Sequence, residues 1–370
     1  MSIKRQLAAR ARALGCCGFG VTAAGPVADH ARFHAWLRDG YGADMGALTR
    51  DAALRADPRR LLPEARSVVA VAVPYSGCRD PGAPAPPGLL CSLAVGRDYH
   101  RVVRDILTEL AGLLDGNGST KAAVDTAPVL ERSLAVAAGL GAVGRHTQLI
   151  VPCQGSRVVL GVLLTELALE PDRPRADDPC GVCRECLDAC PTGALRPDGR
   201  LDARLCLSYW TTATRQPIPR PLRRPLGNRL YGCDTCLDAC PHNAPRLPRL
   251  APPAALHGDA HRSLDQLHAL LGLGQRALRR ALAGTALDWL HRTTLLRTVC
   301  VLLGNARDPA SAPALTRALG DRAPEIRAHA AWALGELGVG RDHLRAALAR
   351  ETDPTARHEM TLALEGSESD

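Results

Sequence analysis

Eight of the fourteen cysteines in this 370-residue chain fall between Cys180 and Cys240. Their spacing leaves few folds open. One run reads Cys180-x2-Cys183-x2-Cys186-x3-Cys190-Pro191, and a second reads Cys233-x2-Cys236-x3-Cys240-Pro241, with Cys206 between them. Proline, glycine and cysteine dominate residues 171–250 and apolar periodicity fades. Such a segment buries too little surface to fold alone and is expected to fold around metal. Paired CxxC motifs can hold zinc, but structural zinc takes four ligands and does not call for a third evenly spaced cysteine followed by Cys-Pro.

The spacing is that of bacterial ferredoxins, in which a CxxCxxC loop holds one 4Fe–4S cluster and the cysteine before proline serves its neighbour. Two clusters need eight thiolates, and eight are present. The rule assigns Cys180, Cys183, Cys186 and Cys240 to cluster one and Cys190, Cys206, Cys233 and Cys236 to cluster two. Adjacent clusters pass electrons singly, and the long region before them favours an enzyme that spends those electrons. A non-enzymatic electron carrier is the alternative. Cys16, Cys17, Cys78, Cys153 and Cys300 lack this spacing and read as buried or incidental thiols.

Hydrophobic residues make up 46% and charged residues 23%, which excludes disordered and collagen-like chains. No apolar run reaches the ~18 residues of a membrane helix, and the N-terminus lacks a signal-peptide core. A cytoplasmic protein without membrane contact is expected. The fold expected is a multi-domain α+β chain in three parts. Residues 1–170 read as an α/β region. Ser67–Tyr75 is a buried strand, Asp80–Gly88 a loop, Asp98–Leu114 a helix, Lys121–Asp125 a short strand and Pro128–Leu140 a helix; Gln148–Pro152 and Arg157–Leu167 are further strands. Residues 171–250 form the ferredoxin-like two-cluster module. Residues 262–370 are helical and repeat weakly: Leu302-Leu303-Gly304, Ala333-Leu334-Gly335 and Ala363-Leu364-Glu365 suggest HEAT-like helix pairs, with Asp308-Pro309, Pro324 and Asp353-Pro354 marking helix starts.

The motifs together resemble the epoxyqueuosine reductase family. Asp125-Thr-Ala-Pro-Val-Leu-Glu-Arg132, Gly139-Leu-Gly-Ala-Val-Gly-Arg-His-Thr147, Gly96-Arg-Asp-Tyr-His100 and Leu226-Gly-Asn-Arg-Leu-Tyr-Gly-Cys233 carry the likeness, along with the paired cysteine runs and the helical tail. The architecture is also similar to that of reductive dehalogenases. The resemblance implies cobalamin-dependent reduction of epoxyqueuosine to queuosine at the wobble position of tRNA, the last step of queuosine biosynthesis. The two clusters would pass electrons to cobalt. Partners would be the anticodon stem-loop carrying epoxyqueuosine and an electron donor such as a flavodoxin or ferredoxin, with the enzyme acting as a monomer. A cobalamin-dependent reductase of a small halogenated or epoxide substrate is the alternative. The family's acidic residue after Ser-Tyr is replaced by Ala213 here.

Opening an epoxide to an alkene consumes two electrons, and the oxygen must be protonated to leave as water. Read from the residues alone, Asp125 is first of all a cap for the helix that Pro128 opens; the resemblance makes it the proton donor instead. A carboxylic acid donates at neutral pH only if burial raises its pKa. The resemblance also carries cobalamin contacts to Arg55, Cys91, Arg145, His146, Thr147, Tyr209 and Asp234, while Tyr99 and His100 read as packing residues. Gly139-x-Gly141-x2-Gly144 has the form of a dinucleotide fingerprint, but it follows a helix rather than a strand. Asp259-x-His261 begins a cobalamin-ligating motif of other families, yet Leu264 stands at its glycine position.

Net charge is +8, carried almost wholly by arginine, whose planar fork suits phosphate. Aromatic residues are only 3%, so RNA would be held through phosphate and shape rather than extended stacking. Arg220, Arg223, Arg224 and Arg229 form the densest basic stretch and are expected to meet tRNA.

Overall fold

Eight consecutive residues, Ser67–Pro74, are buried without interruption. A strand with no polar alternation needs cover on both faces, and the structure supplies it. The computed structural model describes residues 1–75, 86–175, 177–244 and 249–366; Cys78 and most of the Asp80–Gly88 loop lie outside them. The chain divides into two units that alternate along the sequence. One comprises Met1–Arg79, Val95–Arg204 and Asp234–Gly258; the other comprises Asp80–Ala94, Leu205–Cys233 and Asp259–Asp370.

The first unit is built on a four-stranded sheet ordered Gly18–Ala23, Ser67–Pro74, Val158–Thr165, Thr120–Ala123. Every pairing is antiparallel, with Ser67 opposite Thr165 and Ala123 opposite Val162. Helices cover both faces. Gly161 faces Val103 and Leu107 of helix Tyr99–Gly112, and a Cβ there would sit 2.6 Å from Val103. Its neighbours Val162 and Leu164 point the other way, into a core with Leu134, Ala135 and Ala138 around helix Glu131–Ala137. The first strand, Gly18–Ala23, gave no sequence signal because two of its six residues are glycine. Gly20 is required there: a Cβ would lie 2.0 Å from the Ala138 carbonyl oxygen.

The second unit stacks helices Arg292–Ala306, Pro324–Leu337 and Pro354–Glu365 side by side, with the shorter Ala312–Ala318 and Arg341–Leu348 between them. The weak sequence repeat has a packing cause. Gly304 faces Ala333, and Gly335 faces Ala363; added Cβ atoms would approach these alanines to 3.0–3.1 Å. Each glycine lets the next helix of the stack come close. Asp308 and Asp353 accept hydrogen bonds from Ala310 and Ala356 and so cap the turns they begin.

Residues 205–233 are locked onto this stack. Arg223, only 2% exposed, makes a two-pronged bond to buried Glu359 at 2.7 and 2.9 Å. Arg220 shares the same carboxylate at 2.8 Å, and Arg224 bonds Glu336 at 2.9 Å. Arg229 bonds the carbonyls of Pro225 and Leu226. The basic stretch expected to meet RNA is thus engaged within the protein, and Arg223 is closed to RNA. Its acidic partners lie more than 100 residues away, which local charge counting cannot reveal. Fully buried His329 accepts the Ile218 N–H at Nε2, 3.0 Å away. Fully buried Arg297 donates to the carbonyls of Trp210 and Thr214 at 2.9 and 2.8 Å. Among the described residues no helix is long and apolar enough to cross a membrane.

Two outcomes follow for stability. Glu359→Ala strands two arginines, one of them buried, and is expected to cost about 3–5 kcal/mol in denaturant unfolding. Burial, with Arg223 and Arg297 adding to it, holds the His329 pKa well below its usual value. The unfolded chain therefore takes up a proton that the folded chain refuses as pH falls below about 6.5. Stability contributed by His329 is fully present above that pH and declines below it. A His329→Gln variant, measured by thermal unfolding from pH 7.5 to 5, is expected to show a shallower acid slope.

Candidate active site and cluster-binding loops

The site grows from the start of one helix. Asp98 N-caps helix Tyr99–Gly112 by accepting the His100 backbone N–H at 3.0 Å. That cap fixes the first turn and turns two rings to one side, where Tyr99 and His100 stack with centroids 4.1 Å apart. Both reach Asp125. The Tyr99 hydroxyl donates to Asp125 Oδ2 at 2.7 Å, and His100 Nε2 lies 3.1 Å from the same oxygen. His100 Nδ1 lies 2.8 Å from Asp98 Oδ1. The imidazole is therefore held between two carboxylates. Tyr99 and His100 were read as packing residues; the structure makes them the partners of Asp125. The signal was present in the Asp-Tyr-His order, with a capping residue directly before two hydrogen-bonding rings.

Asp125 follows strand Thr120–Ala123 and has φ +50°, in the left-handed region that aspartate tolerates better than most residues. Its side chain is 61% accessible, so one face of the carboxylate is open. The His100 hydrogen bond holds the carboxyl below its ordinary pKa; burial opposes this, and the Tyr99 bond adds to the lowering. His100 moves the other way. Burial would lower it, but bonds to Asp125 and Asp98 outweigh burial and raise it. Burial does raise Asp125, as expected, but with the carboxylate open on one side the bonds from His100 and Tyr99 outweigh it, and the pair favours the proton on His100 over Asp125.

Arg55, 8% exposed, donates to the carbonyls of Val129 at 2.9 Å and Ala127 at 3.4 Å. It pins the loop that follows Asp125, and its Nε has no partner among the described residues. The Glu131 carboxyl, pushed up to about 7 by burial first and by Asp125 in addition, leaves Oε1 unpartnered. Arg132 donates to the carbonyl of Thr147, a β-branched residue at φ +67°. Open Asp125 with the spare Arg55 N–H and Glu131 oxygen beside it offers the mixed donor and acceptor set that a corrin rimmed by amides requires.

Sulfur gathers at a second place in the first unit. Cys180, Cys183, Cys186 and Cys240 line one cavity of about 80 Å³, joined by His146, Pro179, Pro241 and His242. The Arg145 N–H points at Cys180 Sγ at 3.3 Å, and its side chain donates to the Gly181 carbonyl. Burial and the neighbouring cysteines, Cys240 and Cys180 foremost, push the Cys186 thiol up to about 11. Among the described residues no three His, Cys, Asp or Glu side chains converge as a single ion needs; the four sulfurs surround a space instead. That donor set fits a multi-atom cluster.

The remaining cysteines divide between the units. Cys190 and Cys236 belong to the first, Cys206 and Cys233 to the second. Burial raises the Cys190 thiol pKa, but backbone N–H groups of Thr192, Leu195 and Ala194 outweigh it, and the net shift is downward. Asp234 faces Arg157 at 3.6 Å. In the second unit, Cys91 donates its N–H to the Tyr231 carbonyl, and Gly232 leaves room for its sulfur, which a Cβ would approach to 2.5 Å. Buried Tyr209 packs edge-on against Trp210. Exposed Ala213 ends helix Leu207–Thr212.

Known proteins share this arrangement. The family described as epoxyqueuosine reductase QueG matches residues 55–126, a 4Fe-4S double cluster binding domain matches 179–243, and HEAT repeats match 288–365. The epoxyqueuosine reductase of Bacillus subtilis is 33% identical across 98% of this chain and 95% of its own. That of Vibrio cholerae is 35% identical over 82% of this chain and 83% of its own. A crystal structure of an epoxyqueuosine reductase with an epoxyqueuosine-modified tRNA stem loop superposes with a TM-score of 0.91 at 32% identity, covering 99% of both chains. A Bacillus subtilis structure described as having its aspartate catalytic loop swung out of the active site gives a TM-score of 0.87 at 31% identity, covering 98% of each chain. With likeness over nearly the whole length, in sequence and in fold, the chain belongs to the epoxyqueuosine reductase family.

Proposed function

We propose that this chain reduces epoxyqueuosine to queuosine at the wobble position of tRNA, with Asp125 delivering the proton that lets the epoxide oxygen leave as water. The reaction takes two electrons and two protons and releases one water. The two 4Fe–4S clusters would supply the electrons, and cobalamin, when bound, a strongly reducing centre for the epoxide. Everything else falls to side chains. The observation that carries the reading is the open carboxylate of Asp125, held from behind by Tyr99 and His100 and accessible over 61% of its side chain.

The held geometry assigns each group a task. Tyr99 and His100 both engage Oδ2 and hold the carboxylate at the edge of the open side. His100 stores a proton between Asp98 and Asp125 and hands it to Oδ2, and the protonated carboxyl turns that oxygen toward the substrate to give the proton up as negative charge develops on the leaving oxygen. Asp98 keeps the ring in place and raises its affinity for that proton. Arg55 holds the 127–129 backbone, and with it the direction in which Asp125 points. Cys180, Cys183, Cys186 and Cys240 hold cluster one, and Cys190, Cys206, Cys233 and Cys236 hold cluster two. Residues 1–170 carry the cobalamin site, 171–250 the cluster ligands and 262–370 the helical repeats.

The tRNA is engaged through its anticodon stem-loop, a reading supported by the stem loop seen with a relative of the same fold. A flavodoxin- or ferredoxin-type protein feeds the clusters, the enzyme works as a monomer, and its tRNA substrate places it in the cytoplasm.

Three outcomes test this. Asp125→Asn keeps the left-handed turn and the Tyr99 bond; it is expected to retain iron and cobalamin yet lose turnover on epoxyqueuosine-containing tRNA by at least ~100-fold. Near-normal turnover removes the acid role. Because His100 must carry its proton, activity declines as pH rises above its raised pKa. Asp98→Asn removes one of the two carboxylates that raise it, so the alkaline limb of the pH–rate profile is expected to move to lower pH. Finally, Cys240→Ser is expected to lower iron from about eight to about four per chain, leaving one cluster's spectrum intact.

A further inference from the structure

His146 was expected at the cobalamin site. The structure shows what its ring stands beside. Only 2% exposed, it lines the cavity bounded by Cys180, Cys183, Cys186 and Cys240. Its Nδ1 faces the backbone N–H of Gln148 at 3.2 Å. A backbone N–H can only donate, so Nδ1 must be the acceptor, and the ring proton sits on Nε2. That Nε2–H is buried and has no partner among the described atoms. A buried donor left unpaired is costly, so a partner is to be sought in the cavity it lines. Of the side chains around that cavity, four are cysteines and two are proline rings. The remaining one, His242, is committed through Nε2 to the Pro179 carbonyl at 2.7 Å.

We infer that His146 is a hydrogen-bond donor to cluster one, its Nε2–H meeting a sulfur of the cluster and raising that cluster's reduction potential. A donor to cluster sulfur stabilises the extra negative charge of the reduced state, which makes reduction easier. The local sequence supports the placement. Gly144 sits against the ring, and a Cβ there would lie 3.1 Å from its Cε1, so the glycine admits the imidazole to the cavity wall. The neighbouring Arg145 backbone N–H already points at Cys180 Sγ. The Gly-Arg-His turn thus presents two consecutive N–H groups to one cluster.

This rests on the assignment of Cys180, Cys183, Cys186 and Cys240 to a cluster. The two can be told apart by measuring iron content and redox behaviour of the full-length protein together. In anaerobic redox titrations followed by electron paramagnetic resonance, His146→Phe keeps a ring but loses the donor. One cluster's midpoint is expected to move to more negative potential while the other stays. His146→Gln, whose amide N–H has nearly the reach of Nε2, is expected to bring the midpoint back toward that of the unaltered protein. Two unchanged midpoints with full iron in His146→Phe would overturn the inference and leave the cluster assignment standing. Wild-type protein with no cluster iron would instead overturn the assignment. Should His146→Phe lose iron, electron–nuclear double resonance on the unaltered protein decides. An exchangeable proton coupled to a reduced cluster and carried on a ¹⁵N-labelled histidine supports the inference, and its absence sinks it.

Discussion

Four cysteine sulfurs brought around one small space are an unstable arrangement on their own. As thiolates they repel one another, and as thiols they are polar groups without good partners; the raised pKa values of Cys186 and Cys240 express both effects, with burial the larger cause. Only a cationic core among them turns the repulsion into attraction. The turns around Cys180–Cys186 and Cys233–Cys240 contain little else to hold them, since each carries just one four-residue helix, Glu185–Asp188 and Thr235–Asp238. The order of these two turns is therefore expected to depend on metal far more than that of residues 205–233.

The helical repeats carry a second structural burden. They grip residues 205–233 through Arg297, His329 and Glu359, and Cys206 and Cys233 stand at the two ends of that stretch. Gly232, next to Cys233, donates its N–H to Thr211 Oγ1 at 2.9 Å, tying the two ends of the stretch together. A domain of a kind often regarded as a binding surface here also sets the backbone that presents Cys206 and Cys233, the two cysteines of this unit proposed for cluster two. Arg223 in the stretch between them serves this grip and is closed to RNA, while Arg220 and Arg224 stay partly exposed beside their carboxylates.

Patterns with a period or a fixed spacing were legible in the sequence. The cysteine runs, the buried strand Ser67–Pro74, the helix Tyr99–Gly112 and the glycine-marked repeats all fall in this class, because each expresses a local rule. What stayed hidden depends on partners far along the chain. The strand Gly18–Ala23 is defined by the helix end pressed against Gly20. The ion pairs of Arg223 and Arg224 depend on Glu359 and Glu336. The antiparallel order of the sheet follows from which strands meet, and no single strand announces it. At the site, resemblance singled out Asp125, but the state of its proton could be read only once His100 was seen beside it.

The carboxylate of Asp125 faces open space on one side and, on the other, an imidazole whose protonated form it favours. In water that charge separation is comfortable. Exclude the water, and the balance changes: a low-dielectric surrounding disfavours two opposite charges relative to a neutral acid beside a neutral ring. Closing the pocket would then by itself move the proton from nitrogen to oxygen. The acid would be armed only when the substrate is in place, and an empty enzyme would hold its proton where it can do no chemistry.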